Sequence, residues 1–261
     1  MKFMILGCLS LSIVSICAFT SFCDLDTVAA EVNPAAGDPA ISAVHNYIEQ
    51  QTTEGRIQKD KASWKTSLPR FPKLDFSKDT TYVWKLETNL GVMEVEFLPA
   101  TAPNHVSNFI YLTQLGFFND LKFHRVITGF MAQGGCPQGS GRGGPGYKFA
   151  GEYSSSVKHD RGGLLSMANA GQGTDGSQFF LTFLPTPWLD GKHTIFGKMR
   201  SGDAVLKQFE ARGSRAGTPS ELLKIQKATI VVESKALVSP KKKSAEKKEP
   251  VTKPSPKKES R

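Results

Sequence analysis

The sequence predicts a mainly β domain, a closed or nearly closed antiparallel barrel with two α-helices, and three observations lead to that class. Short apolar runs rich in strand formers recur between Tyr82 and Val232. Gly-rich turns separate them, and within that span only two stretches switch to helical spacing.

The elements follow in chain order. One Lys at position 2 precedes twenty uncharged residues from Phe3 to Phe22, and Val28-Ala29-Ala30 stands before Glu31. This reads as a signal peptide over residues 1–30, cleaved after Ala30, which would export the protein to the periplasm or the exterior. The alternative is an uncleaved anchor through residues 3–22. Lipidation is disfavoured, because Ile16 and Phe22 precede Cys17 and Cys23 where a small residue would be needed. Cleavage removes Cys8, Cys17 and Cys23, so Cys136 stands alone and no internal disulfide can form. With nothing basic beside it in sequence, Cys136 reads as a small loop residue.

Asp38-Pro39 predicts a helix start, and Ile41, Val44 and Ile48 repeat at helical spacing towards Gln51. Residues 52–79 are polar and punctuated by Pro69 and Pro72, and read as a linker in the 31–79 extension, with Trp64, Phe71 and Phe76 available to lie on the main domain. The main domain, 80–235, opens with a hairpin, Tyr82–Thr88 and Val92–Phe97 about an Asn89-Leu90-Gly91 turn. A helix over Ala102–Gly116 follows. Further strands are expected at Phe123–Val126, Phe130–Gln133, Leu164–Ala168, Gln178–Phe183, Thr194–Met199 and Leu223–Val232, with a second helix over Asp203–Arg212. Residues 236–261 lack periodicity, repeat Ser-Pro-Lys-Lys at 239–242 and 255–258, and read as a disordered tail. From Ser239 onward, eight Lys and one Arg face three Glu, so two thirds of the net charge of +9 belongs to that tail.

Four apolar segments carry unusual polar groups: FHRVITGFMAQGG from Phe123, LLSMANAG from Leu164, GSQFF from Gly176, and WLDGKHTIFGKM from Trp188. No Ser or Cys stands beside an evident base, and no acidic pair occurs among them, which argues against most covalent chemistry. Arg125 is the conspicuous cation. In an apolar strand it reads as a functional donor or as half of an ion pair with an acid. Phe179 and Phe180 must point to opposite faces of a strand, one to the core and one outward. His124 and Arg125 are separated in the same way, and His124 reads as structural. Residues 139–144, GSGRGG, satisfy G-x-G-x-x-G, yet Pro145-Gly146 follow where a nucleotide-binding helix should open, so the segment reads as a flexible loop.

These motifs resemble the cyclophilin family of peptidyl-prolyl cis-trans isomerases, over about Tyr82 to Val232, with a compact Gly-rich loop after Gly135 like that of bacterial-type members. The resemblance implies a closed eight-stranded barrel capped by two helices, and catalysis of rotation about X-Pro bonds with no metal and no cofactor. It implies that Arg125 is the catalytic donor and that Phe130, Met131, Phe180 and Leu189 form a proline slot. Gln133, Ala168, Asn169, Ala170 and Gln178 would grip the substrate backbone, Gly143 would touch it from the loop, and Trp188 and His193 would form a rim. Thr128 departs from the family's HRVIPGF, which has Pro there. The implied partners are unfolded or extended Pro-containing polypeptides, with cyclosporin a further ligand through Trp188. A binding module using the same groove without turnover is the alternative. For the tail, anionic surfaces are the expected contact, and the export signal argues against nucleic acid. Nothing in the sequence calls for more than a monomer.

Overall fold

The computed structural model describes residues 37–235. The leader, its cysteines, the tail and the calls made on them lie outside the described residues. Among the described residues no helix is long and apolar enough to cross a membrane.

Helix α1 spans Pro39–Thr53, and Asp38 caps it by accepting from the N–H groups of Ala40 and Ile41 at 3.0 and 3.1 Å. The second carboxylate oxygen of Asp38 accepts from Tyr82 Oη at 2.8 Å, which ties the cap to the first strand. Ala40, Ile41 and Val44 form the buried stripe. Beyond the helix, residues 54–79 are packed along the main domain instead of forming a linker. Ile57, Leu68, Phe71 and Leu74 are buried, and burial of such side chains is worth about 1.5–3 kcal/mol each. The expectation that Trp64, Phe71 and Phe76 lie on the main domain holds, with Phe71 buried and Trp64 and Phe76 packed against the core, whereas the irregular spacing of Ile57, Leu68 and Leu74 gave no sign of their burial.

The main domain is an eight-stranded antiparallel sheet, curled on itself. Its strands are β1 (Thr80–Thr88), β2 (Gly91–Phe97), β3 (Arg125–Ile127), β4 (Met131–Gly134), β5 (Leu164–Met167), β6 (Phe179–Thr182), β7 (Ile195–Ser201) and β8 (Ile225–Ser234). Helix α2 (Pro103–Gln114) follows β2, and α3 (Asp203–Ala211) follows β7. The spatial order is β3-β4-β6-β5-β7-β2-β1-β8, which leaves β3 and β8 as edges. The expected closed barrel is therefore corrected to an incompletely closed one. Both backbone groups of Val126 on β3 are taken by the 214–217 loop, its N–H by Gly217 O at 2.8 Å and its C=O by Ser214 N–H at 3.0 Å. That loop occupies the edge where β8 would have to pair. Among the described residues, the isolated Lys122–Lys224 bridge is the backbone pairing that spans the seam.

The concave side is filled by aromatic rings. Trp84 meets Phe109, Phe118 and Phe179 edge-on at 5.3, 5.1 and 5.0 Å between ring centres, and all four are fully buried. Edge-to-face contacts of this kind add about 0.5–1.5 kcal/mol each beyond area burial. This block fixes β6, and with it everything carried on the opposite face of β6.

Candidate functional site

Cross-strand register builds the site. Arg125 lies opposite Gln133, Gln133 opposite Phe180, and Phe180 opposite Ser166. Residues directly opposite in antiparallel strands share a face, so a guanidinium, an amide, a ring and a hydroxyl form one row across β3-β4-β6-β5. Met131, two residues from Gln133, lies on the same face. Phe179 points the other way, into the aromatic block, and Phe180 is the outward ring, as strand alternation requires.

Hydrogen bonds extend the row into a relay. Arg125 Nη1 donates to Gln133 Oε1 at 3.2 Å, Gln133 Nε2 donates to Gln178 Oε1 at 3.0 Å, and Gln178 Nε2 donates to the carbonyls of Gly141 and Gly143 at 2.9 and 2.8 Å. Each amide is oriented by its neighbour. Arg125 itself is exposed. Its side-chain partner is the Gln133 amide, and among the described residues it forms no ion pair with an acid.

The predicted residues divide into two neighbouring groups. Gln133, Gly143, Ala168, Asn169, Ala170 and Gln178 line a cavity of about 860 Å³. Phe130, Met131, Phe180, Trp188, Leu189 and His193 do not line it and lie on the Phe180 side of the row. There Phe180 meets His193 edge-on at 5.6 Å and Phe130 approaches Trp188 at 6.0 Å. Trp188, on a short 3-10 turn at Pro187–Leu189, is 57% exposed, which gives a flat apolar rim. The Leu189 N–H closes that turn onto Thr186 O at 3.0 Å, and its C=O closes the next one, accepting from the N–H groups of Lys192 and His193 at 3.1 Å each. Met131 and Phe180 are both buried, so they form the floor beneath the exposed groups.

His193 Nδ1 lies 2.8 Å from the Met167 carbonyl. A carbonyl can only accept, so Nδ1 carries the proton, and in the neutral ring Nε2 is left as an acceptor. Under Phe180, His159 stacks at 6.3 Å and bridges Asp190 Oδ1 at 2.9 Å and Ser166 Oγ at 3.0 Å. Burial outweighs the Asp190 contact and holds the His159 pKa below its usual value. On Asp190 desolvation is the largest single influence, but the His159 backbone and ring N–H groups together with the Lys158 charge outweigh it, and its pKa is lowered. A neutral His159 donating from Nδ1 to an ionised Asp190 fits both directions. This pair supports the turn that carries Leu189, and no sequence spacing announces it.

The Asn169 loop is held by its own contacts. Asn169 Nδ2 donates to Lys192 O at 3.1 Å, Ala170 N–H to Thr174 Oγ1 at 2.8 Å, and Ala168 N–H to Gln178 O at 3.0 Å. Behind it stands a buried ion cluster that the sequence reading missed. His105, at the start of α2, places Nδ1 2.7 Å from Glu152 Oε2 and Nε2 2.9 Å from Asp175 Oδ2. Glu152 also accepts from the N–H groups of Asn104 and His105 at 3.1 and 3.0 Å, and so caps a helix whose own N-cap, Ala102, has no side-chain acceptor. Burial disfavours the His105 cation, but hydrogen bonds and charges from Asp175 and Glu152 outweigh it and raise the pKa. For Glu152, burial is outweighed by bonds from His105, and the pKa falls.

Cys136 is buried, with the Gly143 N–H donating to its Sγ at 3.3 Å, so it anchors the Gly-rich loop from within. Burial pushes its pKa up, but N–H groups of Gly143, Ser140, Gly141 and Gln138 outweigh it, and the pKa is lowered. His124 is half-buried, off the outward row, and both of its ring nitrogens lack a partner among the described residues. Burial and the charges of Lys122 and Arg125 lower its pKa.

A family model described as "Cyclophilin type peptidyl-prolyl cis-trans isomerase/CLD" matches residues 83–230. A "Peptidyl-prolyl cis-trans isomerase-like 1" from Gibberella zeae is 46% identical over 156 residues, which are 58% of this chain and 96% of that protein. The Dictyostelium discoideum "Peptidyl-prolyl cis-trans isomerase cypE" is 46% identical over 147 residues, 55% of this chain and 94% of its own length. A crystal structure of a Cryptosporidium parvum cyclophilin type peptidyl-prolyl cis-trans isomerase in the presence of the dipeptide Ala-Pro superposes with a TM-score of 0.55 at 35% identity, covering 58% of this chain and 99% of that one. These relatives are eukaryotic. The bacterial-type likeness suggested by the compact loop after Gly135 is corrected accordingly.

Proposed function

The chain belongs to the cyclophilin-type peptidyl-prolyl cis-trans isomerase family, and from that premise we propose that it accelerates rotation about X-Pro bonds in polypeptides. The observation that carries this reading is the row in which an exposed Arg125, oriented by Gln133, lies beside the apolar floor of Met131 and Phe180. Rotation about the C–N bond faces about 18–20 kcal/mol because of its partial double-bond character. Both isomers of an X-Pro bond lie close in energy, so a catalyst need only weaken that resonance. Arg125 has N–H groups beyond the one held by Gln133, and one of them donates to the prolyl nitrogen as its lone pair localises. The pyrrolidine ring rests on Met131 and Phe180, flanked by Phe130, Leu189 and His193. Ala168, Asn169 and Ala170 hold the backbone on one side while the other side turns. A charge-assisted donor in a partly desolvated site contributes about two decades of rate, roughly 2.7 kcal/mol.

The predicted leader supports a setting outside the cytoplasm, where the clients would be unfolded or extended polypeptides, and cell fractionation tests it. Trp188, exposed beside Phe130, supports cyclosporin binding, which a competition assay tests. The activity is tested by a protease-coupled prolyl assay on the full chain. A chain starting at residue 80 would lose the buried Ile57, Leu68, Phe71 and Leu74 and is unsuitable. The proposal expects isomerisation well above the spontaneous rate. A wild-type chain that binds a Pro peptide and leaves the rate unchanged is a binding module.

A further inference from the structure

A second cavity, of about 750 Å³, shares no lining residue with the Arg125 row or with the cavity beside it. Its walls come from three segments: Ile41 and His45 of α1 with Lys59 beyond it, the end of α2 and its cap from Thr113 to Gly116, and Lys227–Ile230 of β8. Ile41, His45 and Lys59 precede the family match at residues 83–230, so one whole wall is supplied by the extension. The size suits a small ligand.

The lining sets donors and cations over an apolar base. Ile41, Leu115 and Ala228 are buried, and Ile230 packs against the core. His45, Lys59 and Lys227 also line the cavity, and no Asp or Glu does. None of the three forms an ion pair among the described residues. Lys59 Nζ lies 5.7 Å from the centre of the Trp64 ring, a partner that attracts the cation without neutralising it. Asp120, next to Asn119 of the lining, is taken by Lys224 at 3.3 Å.

Two neutral donors complete the set. Thr113 is 5% exposed, and its hydroxyl has no hydrogen-bond partner among the described residues. Threonine on a helix has two accessible χ1 rotamers, so this hydroxyl can turn to an acceptor held in the cavity. Asn119 Oδ1 accepts from the Ala228 N–H at 3.0 Å, which leaves its Nδ2 as a donor. The carbonyls that end α2, by contrast, are satisfied. Those of Tyr111, Leu112 and Thr113 accept from the N–H groups of Leu115, Phe117 and Gly116 at 3.1, 2.9 and 2.8 Å. What this lining lacks is a negatively charged acceptor.

We propose that this cavity binds a small organic anion, a carboxylate or phosphate on a short apolar body. Lys59, Lys227 and Thr113 hold the anionic group, and the body lies on Ile41, Leu115 and Ala228. The site stands apart from the isomerase reading and does not depend on it. His45, Lys59 and Lys227 are exposed, which keeps each charge contact modest and makes binding fall as salt screens it.

The test titrates the full chain with hexyl phosphate, hexanoate, hexanol, hexylammonium and inorganic phosphate, with backbone amide shifts followed by NMR. The site predicts saturable binding of the two hexyl anions, at least tenfold tighter than any of the other three probes and weaker at high salt. The shifts should concentrate at 113–116 and 227–230. Lys59→Gln/Lys227→Gln should cost about tenfold in affinity for hexyl phosphate. Thr113→Val should cost about threefold, with unfolding stability unchanged or raised, because Val keeps the shape and removes a hydroxyl that had no partner. Absence of saturable binding, equal affinity for hexyl phosphate and hexanol, or shifts centred on 142–148 overturns the site. Inorganic phosphate binding as tightly as hexyl phosphate overturns the apolar half of the proposal. Unchanged affinity in Thr113→Val overturns the role of its hydroxyl, and the exposed lysine pair decides the site whether or not that variant folds.

Discussion

The two faces of β4 and β6 make opposite use of neighbouring residues. Inward, Phe179 is locked edge-on among Trp84, Phe109, Phe118 and Phe123. Outward, one residue along, Phe180 shares a row with Gln133 and Arg125, and polar groups are left exposed over an apolar floor. The difference teaches that a period of two divides labour within a dipeptide: one side chain supplies cohesion and the next supplies chemistry. A buried ion cluster behind the row, His105 with Glu152 and Asp175, belongs with the first kind despite its charges.

The largest effect is expected on the inward face. Phe179→Ala should lower stability by about 3–5 kcal/mol in denaturant unfolding, whereas Phe180→Ala should cost less stability and reduce turnover at least tenfold in protein that remains folded. Equal stability losses with equal residual turnover would erase the distinction between the faces.

Next in size is the ion cluster. His105→Gln leaves Glu152 and Asp175 without their buried cation and should cost roughly 3 kcal/mol. The sign of its pH dependence follows from linkage. The folded pKa of His105 is raised above its ordinary 6.5, so its contribution is complete below 6.5 and lost as pH climbs through the raised value. Glu152 is depressed from its ordinary 4.5, so its contribution is present above 4.5 and lost as pH falls through the lowered value. Wild type should therefore exceed His105→Gln most between these two ordinary values, and the gap should narrow on raising the pH. A gap that widens towards alkaline pH would show that the cluster does not hold a cation.

The smallest effect concerns orientation. Gln133→Ala removes the acceptor that aims Arg125, at 3.2 Å, and should reduce kcat about fivefold, the equivalent of one modest hydrogen bond, with stability little changed. A loss in KM alone would make Gln133 a binding group and not a positioning one.

Much of the outward row was readable in the sequence because alternation is local. Phe179-Phe180 declare opposite faces by adjacency, and the strand and helix positions of the main domain follow from the same kind of period. The same reading of His124-Arg125 does not carry over, because β3 begins at Arg125 and Phe123, two residues before it, is buried. What could not be read depends on distance. Glu152 and Asp175 lie 47 and 70 residues from His105, and no spacing pairs them. Ile57, Leu68 and Leu74 look like scattered apolar residues in a polar stretch, and unlike the aromatic Phe71 beside them they do not announce that they are buried. The open seam depends on the 214–217 loop occupying the edge of β3. The separation of the predicted residues into a cavity and an apolar floor depends on how far Gln133 and Gln178 reach, which only their mutual hydrogen bonds fix.

The central claim is that the outward row lowers the rotational barrier through Arg125. Exchange NMR on one Pro-containing peptide, with wild type and Arg125→Ala at matched occupancy, measures binding and isomerisation together. The account predicts binding within a few-fold of wild type and an exchange rate about a hundredfold lower for Arg125→Ala. Equal exchange rates at equal occupancy would contradict it.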